Sequence, residues 1–345
     1  MEDTRIGVIG CGYWGPNLIR NFVEIPTAKM VAVADLDQGR LAHIGARYPQ
    51  IQLTRDYREL FDLDLDAVVV ATPPATHFAI AHDCLENNLH VLVEKPITLN
   101  SNDASKLIRV ADDKDLVLMV GHTFEYNSAV HALKEIIDSG EIGKVFYIDS
   151  ARLNLGLFQS DSNVLWDLAP HDISILLYLL GKEPISVSAQ GMTSVMPGVY
   201  DNVYMNLTFP DNILAHVHVS WLDPCKVRRT TVVGSKKMVV YNDIDSNEKI
   251  RIYDKGVDVP AYTNGFGEFH FNYRYGNVTI PNVRFIEPLK EECQHFLDCI
   301  LEHKTPRSSG YSGLRVIKVI EAAESYLNNG DGQEKIEWQR QTLSA

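Results

Sequence analysis

The chain has 345 residues, 45% hydrophobic and 22% charged, which is typical of a soluble globular protein with room for two domains. Its net charge of −13 argues against nucleic acid or an anionic membrane as the main partner, but still permits an anionic small ligand. The five cysteines lack a CxxC pair, and we find neither a signal peptide nor an apolar run that could span a bilayer, so we expect a cytoplasmic protein.

A glycine-rich loop follows the first predicted strand, Arg5 to Ile9, and leads into a predicted helix. Its sequence is Gly10-Cys11-Gly12-Tyr13-Trp14-Gly15. Gly10 permits a tight turn, Gly12 lets the backbone approach a pyrophosphate, and Gly15 allows the helix and strand to pack closely. Because the helix N-terminus also offers free N–H groups to phosphates, this spacing predicts a dinucleotide site.

The second predicted strand, Met30 to Ala34, ends at Asp35. A carboxylate at this position can accept hydrogen bonds from the adenosine ribose hydroxyls and repels a 2′-phosphate. No arginine directly follows Asp35, so we expect NAD rather than NADP as the cofactor. Asp35 could instead be the N-cap of the next helix.

Strands and helices continue to alternate up to Gly121, which predicts a doubly wound parallel sheet of the Rossmann type over residues 1–122. The strand from Ala67 to Ala71 precedes the loop Thr72-Pro73-Pro74-Ala75-Thr76-His77. A later strand from His90 ends at Glu94-Lys95-Pro96. A lysine held at the carboxyl end of a buried strand can have a lowered pKa and serve in proton transfer.

Beyond residue 122 we predict a second domain, 123–345, of the α+β class with a large, open, mostly antiparallel sheet. Residues 256–282 are predicted to form a long irregular loop. Asp167 and His171 would share one face if both lie on a helix. Pro170, however, is expected only within the first turn of a helix, and Asp167 could then be an N-cap. His216 and His218 lie on one face of a predicted strand, but no third ligand follows at a spacing typical of metal sites. We therefore expect no metal site.

Three motifs together resemble the glucose–fructose oxidoreductase / inositol dehydrogenase family (Gfo/Idh/MocA): the glycine-rich loop, the Ala71–His77 loop and Glu94-Lys95-Pro96. The resemblance implies NAD or NADP, a sugar-like alcohol or ketone substrate, and a lysine that touches both. It also implies that His171 is the general acid/base and Asp167 its orienter, facing Lys95. The implied cofactor-binding residues are Gly10, Gly12, Tyr13, Trp14, Gly15, Asp35, Thr72, Pro73, His77, Glu94 and Lys95.

The leading functional prediction is an NAD-dependent oxidoreductase acting on a ring hydroxyl of a sugar, cyclitol or nucleotide-sugar, with a nucleotide-sugar favoured. The run from Gly12 to Asn17 resembles family members that use nucleotide-sugars in bacterial surface-polysaccharide synthesis. The predicted substrate residues are His122, Tyr126, Asn127, Arg152 and Asn154. Arg152 could bind a phosphate or form an internal salt bridge.

Three alternatives remain open. They are a dehydrogenase of free sugars or inositol, a lyase or hydrolase that oxidises its substrate transiently with bound NAD, and a non-catalytic dinucleotide sensor. The presence of Lys95, Asp167 and His171 speaks against the sensor. The resemblance further implies a homo-oligomer, a dimer or tetramer, that associates through an exposed sheet face carrying His216, His218 and Ser220.

Overall fold

The computed structural model describes residues 3–158, 162–258, 271–330 and 334–338. It divides into two compact units, one formed by residues 1–127 and 286–321 and the other by residues 128–285 and 322–345. Within the described ranges, no helix has the length and apolar character needed to cross a bilayer.

The regular elements are numbered in chain order. The strands are β1 (Thr4–Ile9), β2 (Ala28–Ala34), β3 (Gln52–Thr54), β4 (Ala67–Val70), β5 (His90–Glu94), β6 (Leu118–Gly121), β7 (Val145–Leu153), β8 (Ser186–Met192), β9 (Asn202–Phe209), β10 (Ile213–Ser220), β11 (Val227–Gly234), β12 (Met238–Asn242), β13 (Ile250–Asp258), β14 (Asn272–Thr279) and β15 (Glu334–Lys335). The helices are α1 (Gly15–Glu24), α2 (Gln38–Arg47), α3 (Pro74–Glu86), α4 (Ser101–Asp113), α5 (Ser128–Asp138), α6 (Val164–Leu180), α7 (Pro288–Glu302) and α8 (Gly310–Asn329). Single 3₁₀ segments cover Tyr57–Asp62, Thr123–Tyr126 and Pro210–Asn212.

The first unit is built on an all-parallel, six-stranded sheet in the order β3-β2-β1-β4-β5-β6. Every residue of β4 and β6 is buried, as expected for parallel strands covered on both faces. This confirms the predicted doubly wound sheet. Because the strands are parallel, the loops after their carboxyl ends, which carry the predicted cofactor residues, lie at one edge of the sheet.

The predicted boundary between residues 122 and 123 does not match the two units, because residues 286–321 belong with the first. The apolar face of α7 explains this, since it is part of the core beneath the parallel sheet. Phe296 of α7 packs edge-on against Phe22 of α1, with the ring centroids 6.5 Å apart. Arg20 and Glu287 join the same two elements in an ion pair. A sequence divided only by contiguity cannot show that a distant segment returns to the first core.

The second unit contains a nine-stranded sheet in the order β14-β13-β12-β11-β7-β10-β9-β8-β15. Its strand pairs are antiparallel except for β7 with β10, which confirms the predicted mostly antiparallel sheet. The predicted irregular loop over 256–282 was wrong at both ends, because β13 and β14 pair with each other there. Residues 259–270 lie outside the described residues.

One face of this second sheet carries half-buried and exposed side chains at its centre. Tyr204 of β9 lies opposite His218 of β10, and their rings stack with centroids 4.0 Å apart. Leu214 of β10 lies opposite Tyr147 of β7, and these side chains are 55% and 46% exposed. Ser220, which we predicted on this exposed face, is buried at the strand end, where its hydroxyl accepts a hydrogen bond from the Leu222 N–H.

Candidate active site

The glycine-rich loop has the geometry that a dinucleotide requires. Gly10 has a positive φ of 95°, and a Cβ there would lie 2.5 Å from the carbonyl oxygen of Ala71, so only glycine fits. A Cβ on Gly15 would lie 2.1 Å from the carbonyl oxygen of Gly10. By contrast, a Cβ on Gly12 would meet only Arg40 Nη1 at 3.5 Å, an ordinary contact, so the protein leaves open space beside this backbone. No side chain among the described residues caps the start of α1, so the positive end of the helix dipole can face a phosphate.

The aromatic residues of this loop differ in exposure. Tyr13 is 93% exposed, and its ring stacks on that of Trp14 with centroids 6.4 Å apart. Trp14 is partly buried and packs against the hydrophobic core of the first unit. Tyr13 is thus free to contact a bound ligand, whereas Trp14 fixes the loop to the core.

Asp35 fastens the end of β2 to the glycine-rich loop. One of its carboxylate oxygens accepts a hydrogen bond from the Cys11 N–H (2.7 Å), and the other accepts from the Asp37 N–H (2.8 Å). The N-cap of α2 is Asp37, not Asp35, because the Asp37 side chain accepts from the Gly39 and Arg40 N–H groups. Each oxygen of Asp35 keeps further acceptor capacity for a ribose hydroxyl.

Arg40 is a residue that the sequence reading missed. It lies in the first turn of α2, with Nη1 3.9 Å from the Asp35 carboxylate and with 55% of its side chain exposed. The sequence has no arginine in the positions directly after Asp35. The helical turn begun by Asp37 brings Arg40 back beside Asp35 and Gly12, where its charge would face the adenosine ribose.

His77 connects two of the loops at this edge. Its Nδ1 lies 2.7 Å from the carbonyl oxygen of Pro96, and its Nε2 lies 2.8 Å from that of Thr72. The ring is 1% exposed, and burial lowers its pKa. A neutral imidazole has one N–H, so it donates to one of these carbonyls while its other nitrogen packs against the second. Because both nitrogens face the protein backbone, the prediction that His77 contacts the cofactor gives way to a structural role. It fixes the Thr72-Pro73 loop to the segment that carries Lys95.

Glu94 and Lys95 end β5 at the same edge as the glycine-rich loop. The Lys95 N–H lies 3.3 Å from Glu94 Oε2. The Glu94 carboxyl packs over Gly121 at the end of β6, where a Cβ would lie 2.9 Å from Oε2. Burial raises the pKa of Glu94 to about 7, and the charge of Lys95 opposes this rise. The Glu94 carboxyl therefore lies over the end of the neighbouring strand β6.

In the second unit, α6 carries Asp167 and His171 on one face, separated by one helical turn. The helix begins at Val164, and Asn163 is its N-cap, accepting hydrogen bonds from the Leu165 and Trp166 N–H groups. The N-cap alternative for Asp167 was therefore wrong. Pro170 lies in the second turn, where it removes only the hydrogen bond that would reach the Trp166 carbonyl.

Trp221 is a second residue that the sequence reading missed. It is 1% exposed, and its indole N–H donates to Asp167 Oδ2 at 2.9 Å. The indole packs against Gly156, where a Cβ would lie 2.7 Å from the ring. Trp221 follows β10 and is far from Asp167 in sequence, so no local pattern could reveal this contact. The hydrogen bond fixes the orientation of the Asp167 carboxylate one turn below His171.

The predicted substrate residues have different environments. Tyr126 is 1% exposed, and its hydroxyl lies 2.8 Å from Ser308 Oγ. Arg152 is also interior, since its Nε donates to Asp172 Oδ2 at 2.5 Å with both side chains almost fully buried. These two predictions need correction, because sequence polarity did not reveal burial. Asn154 remains half-buried at the end of β7, and Asn127 is 8% exposed.

His122 lies directly after β6 and is 1% exposed. Neither ring nitrogen has a hydrogen-bond partner among the residues that the structure describes. Burial, and then the charge of Lys95, lowers the pKa of His122 to about 3, so the ring is neutral at physiological pH. A neutral imidazole offers one donor and one acceptor, so His122 stays a proposed substrate or solvent contact.

Family models match most of the chain. One, described as "Oxidoreductase family, NAD-binding Rossmann fold", matches residues 4–122, and another, described as "GFO/IDH/MocA C-terminal domain", matches residues 130–240. The chain belongs to the GFO/IDH/MocA oxidoreductase family. It is an oxidoreductase with an NAD-binding Rossmann domain, of the dehydrogenase class that acts on CH–OH groups.

Several relatives are similar over almost the whole chain. A UDP-N-acetylglucosamine 3-dehydrogenase of Acidithiobacillus ferrooxidans is 28% identical, covering 95% of this chain and 99% of that protein. An NAD⁺-dependent scyllo-inositol 2-dehydrogenase of Bacillus subtilis is 26% identical, covering 95% of each. A solved structure of UDP-N-acetylglucosamine 3-dehydrogenase from A. ferrooxidans has a TM-score of 0.75 at 26% identity, covering 95% of this chain and 100% of that one.

We expect the native protein to bind NAD more tightly than NADP, and Asp35→Ser to narrow that preference roughly tenfold or more by removing a charged acceptor for the ribose. Arg40 remains in this variant and can then pair with a 2′-phosphate. Fluorescence titration of both cofactors measures the two dissociation constants.

The double variant Asp35→Ser/Arg40→Ala is the matched control. It should lose the NADP affinity that Asp35→Ser gains, because the guanidinium of Arg40 is then removed as well. Tighter NADP binding by the native protein would contradict the assignment of Asp35.

Proposed function

We propose that this protein is an NAD-dependent dehydrogenase that transfers hydride between nicotinamide and a secondary ring hydroxyl or ketone of a sugar, carried on a nucleotide. The observation that carries this proposal is the Asp167–His171 pair on α6, with Asp167 oriented by the Trp221 indole. Imidazole suits acid/base work on an alcohol because its unperturbed pKa lies close to physiological pH.

Oxidation of the alcohol removes a hydride from the carbinol carbon and a proton from its hydroxyl group. NAD, when bound, supplies the acceptor for the hydride that leaves the carbinol carbon. His171 takes the hydroxyl proton, and Asp167 stabilises the resulting imidazolium and holds the ring in one orientation. Lys95 polarises the substrate oxygen as the carbonyl forms. In the reverse direction His171 returns the proton to the alkoxide.

His171→Ala should lower kcat by about a hundred- to ten-thousand-fold while changing NAD affinity little, because a positioned acid/base acts mainly in the transition state. Trp221→Phe should lower kcat by about tenfold, because it removes one hydrogen bond to a charged carboxylate. Stopped-flow measurement of hydride transfer and fluorescence titration of NAD separate the two effects.

The control is His43→Ala, which removes an exposed histidine from α2 in the other unit. It should match the native enzyme in both measurements. A His171→Ala enzyme with near-native turnover would remove His171 from this role.

The nucleotide carrier is supported by the UDP-N-acetylglucosamine 3-dehydrogenase relative and by the resemblance of residues 12–17. This resemblance also motivates the proposal of a role in bacterial surface-polysaccharide synthesis. The buried position of Arg152 removes that residue as support, because its guanidinium already forms an ion pair with Asp172.

A second candidate is a dehydrogenase of inositol or a free sugar. The scyllo-inositol 2-dehydrogenase relative favours it, with nearly the same identity over the same share of the chain.

A direct comparison of substrates decides between these candidates. We expect a UDP- or dTDP-sugar to give a higher kcat/KM than the matching free sugar and than myo- or scyllo-inositol, under identical NAD, since binding of the remote nucleotide helps position the ring. NADH absorbance measures the rate. Equal or higher kcat/KM for the free sugar or an inositol would exclude the nucleotide carrier and leave the dehydrogenase assignment intact. A net hydration or elimination product without NADH would instead favour a lyase.

We also propose a cytoplasmic homo-oligomer, either a dimer or a tetramer. Its interface would be the exposed face of the second sheet, which presents Tyr147, Tyr204 and Leu214. His216 and His218 lie on the same face, and both rings stack on that of Tyr204. Aromatic residues are enriched in such interfaces. All five cysteines are free thiols, which suits a reducing compartment.

Light scattering at micromolar concentration should give a multiple of the monomer mass. Leu214→Lys should shift it toward the monomer, because a charge replaces an apolar side chain at the interface. Val195→Lys, which changes an exposed residue after β8, should not. A native monomer would contradict the oligomer.

A further inference from the structure

The connection between α7 and α8 lies along the edge of the parallel sheet, where β6 is the last strand. Residues 304–309 of this connection are called the strap. The Val120 N–H donates to the Ser308 carbonyl at 2.7 Å, and the Ser308 hydroxyl donates to the Val120 carbonyl at 2.7 Å. Met119 and Ser309 form an antiparallel bridge beside them. The strap therefore pairs with backbone groups that an edge strand would otherwise leave open.

The strap also holds the 3₁₀ segment Thr123–Tyr126, which follows β6. Arg307 Nη1 donates to the Glu125 carbonyl at 3.0 Å, and the guanidinium carbon lies 5.0 Å from the centre of the Tyr126 ring. The Tyr126 hydroxyl lies 2.8 Å from Ser308 Oγ. The position of this segment, and of the candidate substrate residues on either side of it, therefore depends on the strap.

His295 of α7 contacts the middle of the strap. The Arg307 N–H donates to His295 Nε2 at 3.0 Å, so this nitrogen carries a lone pair and the ring proton is on Nδ1. Cys299 Sγ lies 3.4 Å from the same nitrogen. Burial raises the pKa of the Cys299 thiol to about 11, so the thiol keeps its proton at neutral pH and can donate it. Two donors that face one ring nitrogen require a neutral imidazole.

Protonation of His295 would remove this acceptor. An imidazolium has an N–H at both nitrogens, so its Nε2–H would point at the Arg307 N–H. Burial, followed by the charge of Arg307, lowers the pKa of His295; Lys304 on the strap also lowers it, and Asp298 on α7 opposes them. The Tyr126 ring faces His295 from the 3₁₀ segment, with the ring centroids 5.3 Å apart. His295 is half-buried, so a proton from solvent can reach it.

We propose that His295 is a pH switch for the strap: the neutral ring holds residues 304–309 in place, and protonation releases them together with the 3₁₀ segment. The closed strap binds the histidine proton more weakly than the open strap does. The closed form therefore loses stability as pH falls below about 6.5, the ordinary pKa of histidine. Acid would loosen the loop after β6 before the sheet itself unfolds. This inference does not rest on the proposed function.

The first test is amide hydrogen exchange in the full-length protein without NAD. Fragmentation mass spectrometry resolves individual amides, and each rate is corrected for the intrinsic exchange rate at that pH. The protection of the Arg307 amide should fall about tenfold between about pH 7.5 and about pH 5.5, because opening of the strap lets His295 bind a proton. The Val8 amide, in the interior strand β1, reports opening of the whole unit and should keep its protection.

Two variants separate the acceptor from the titration. His295→Gln keeps a carbonyl oxygen but does not titrate, so protection at Arg307 should vary by less than about twofold with pH. His295→Leu also removes the acceptor, so protection should be about fivefold below native at neutral pH and independent of pH. His43→Gln, which changes an exposed histidine on α2 of the same unit, is the matched control and should follow the native protein. If His295→Leu does not fold, His295→Gln still decides.

The second test is nitrogen NMR of isotope-labelled histidine, with the His295 signals assigned by their absence from His295→Gln. At neutral pH they should show a ring protonated on Nδ1, and a ring protonated on Nε2 would overturn the proposal. Native Arg307 protection that does not change with pH, or that still changes in His295→Gln, would overturn it as well. So would an equal loss at Val8, because acid would then open the whole unit. None of these measurements needs turnover, so a failed substrate screen bears only on the proposed function.

Discussion

Direct contact between neighbouring loops at the carboxyl edge of the parallel sheet is the constraint on which the first unit depends. Each loop is fastened to the next by a different interaction. These are the Asp35 carboxylate on the Cys11 N–H, Gly10 against the carbonyl of Ala71, His77 between Thr72 and Pro96, and Glu94 over Gly121. A side chain on Gly10 would separate β1 from β4, and the whole series would open. The edge is thus pre-organised before a cofactor arrives, which reduces the entropic cost of binding.

In the second unit, two sets of contacts hold the helix that carries the acid/base pair Asp167 and His171. Asp172, one residue after His171, is held by Arg152 and Ser150 of β7, which fixes α6 to the sheet. Trp221 fixes Asp167 on the same helix. The arginine that sequence polarity suggested as a ligand for phosphate is therefore part of the support for the helix that carries His171. A buried pair of this kind specifies one arrangement more than it adds stability.

Burial also separates the roles of groups that look alike in sequence. Asp35 and Glu292 are both acidic, yet Asp35 receives two backbone N–H donors and Glu292 receives none among the described residues. His122 and His77 are both interior histidines, but only His77 has hydrogen-bond partners in that described part of the chain. Hydrogen-bond partners, rather than residue type, therefore distinguish the environments of these groups.

The sequence by itself determined the parallel sheet, the glycine-rich loop, the acidic end of β2 and the one-turn spacing of Asp167 and His171. These features are local, since periodicity, glycine spacing and chain order specify them within a few residues. The tertiary structure alone decided that α7 returns to the first core, that Arg40 lies beside Asp35, that Trp221 donates to Asp167, and that Arg152 and Tyr126 are interior. The position of Arg40 depends on where α2 begins. The other contacts join residues far apart in the chain, and burial depends on the packing of all the elements together, which no local pattern records.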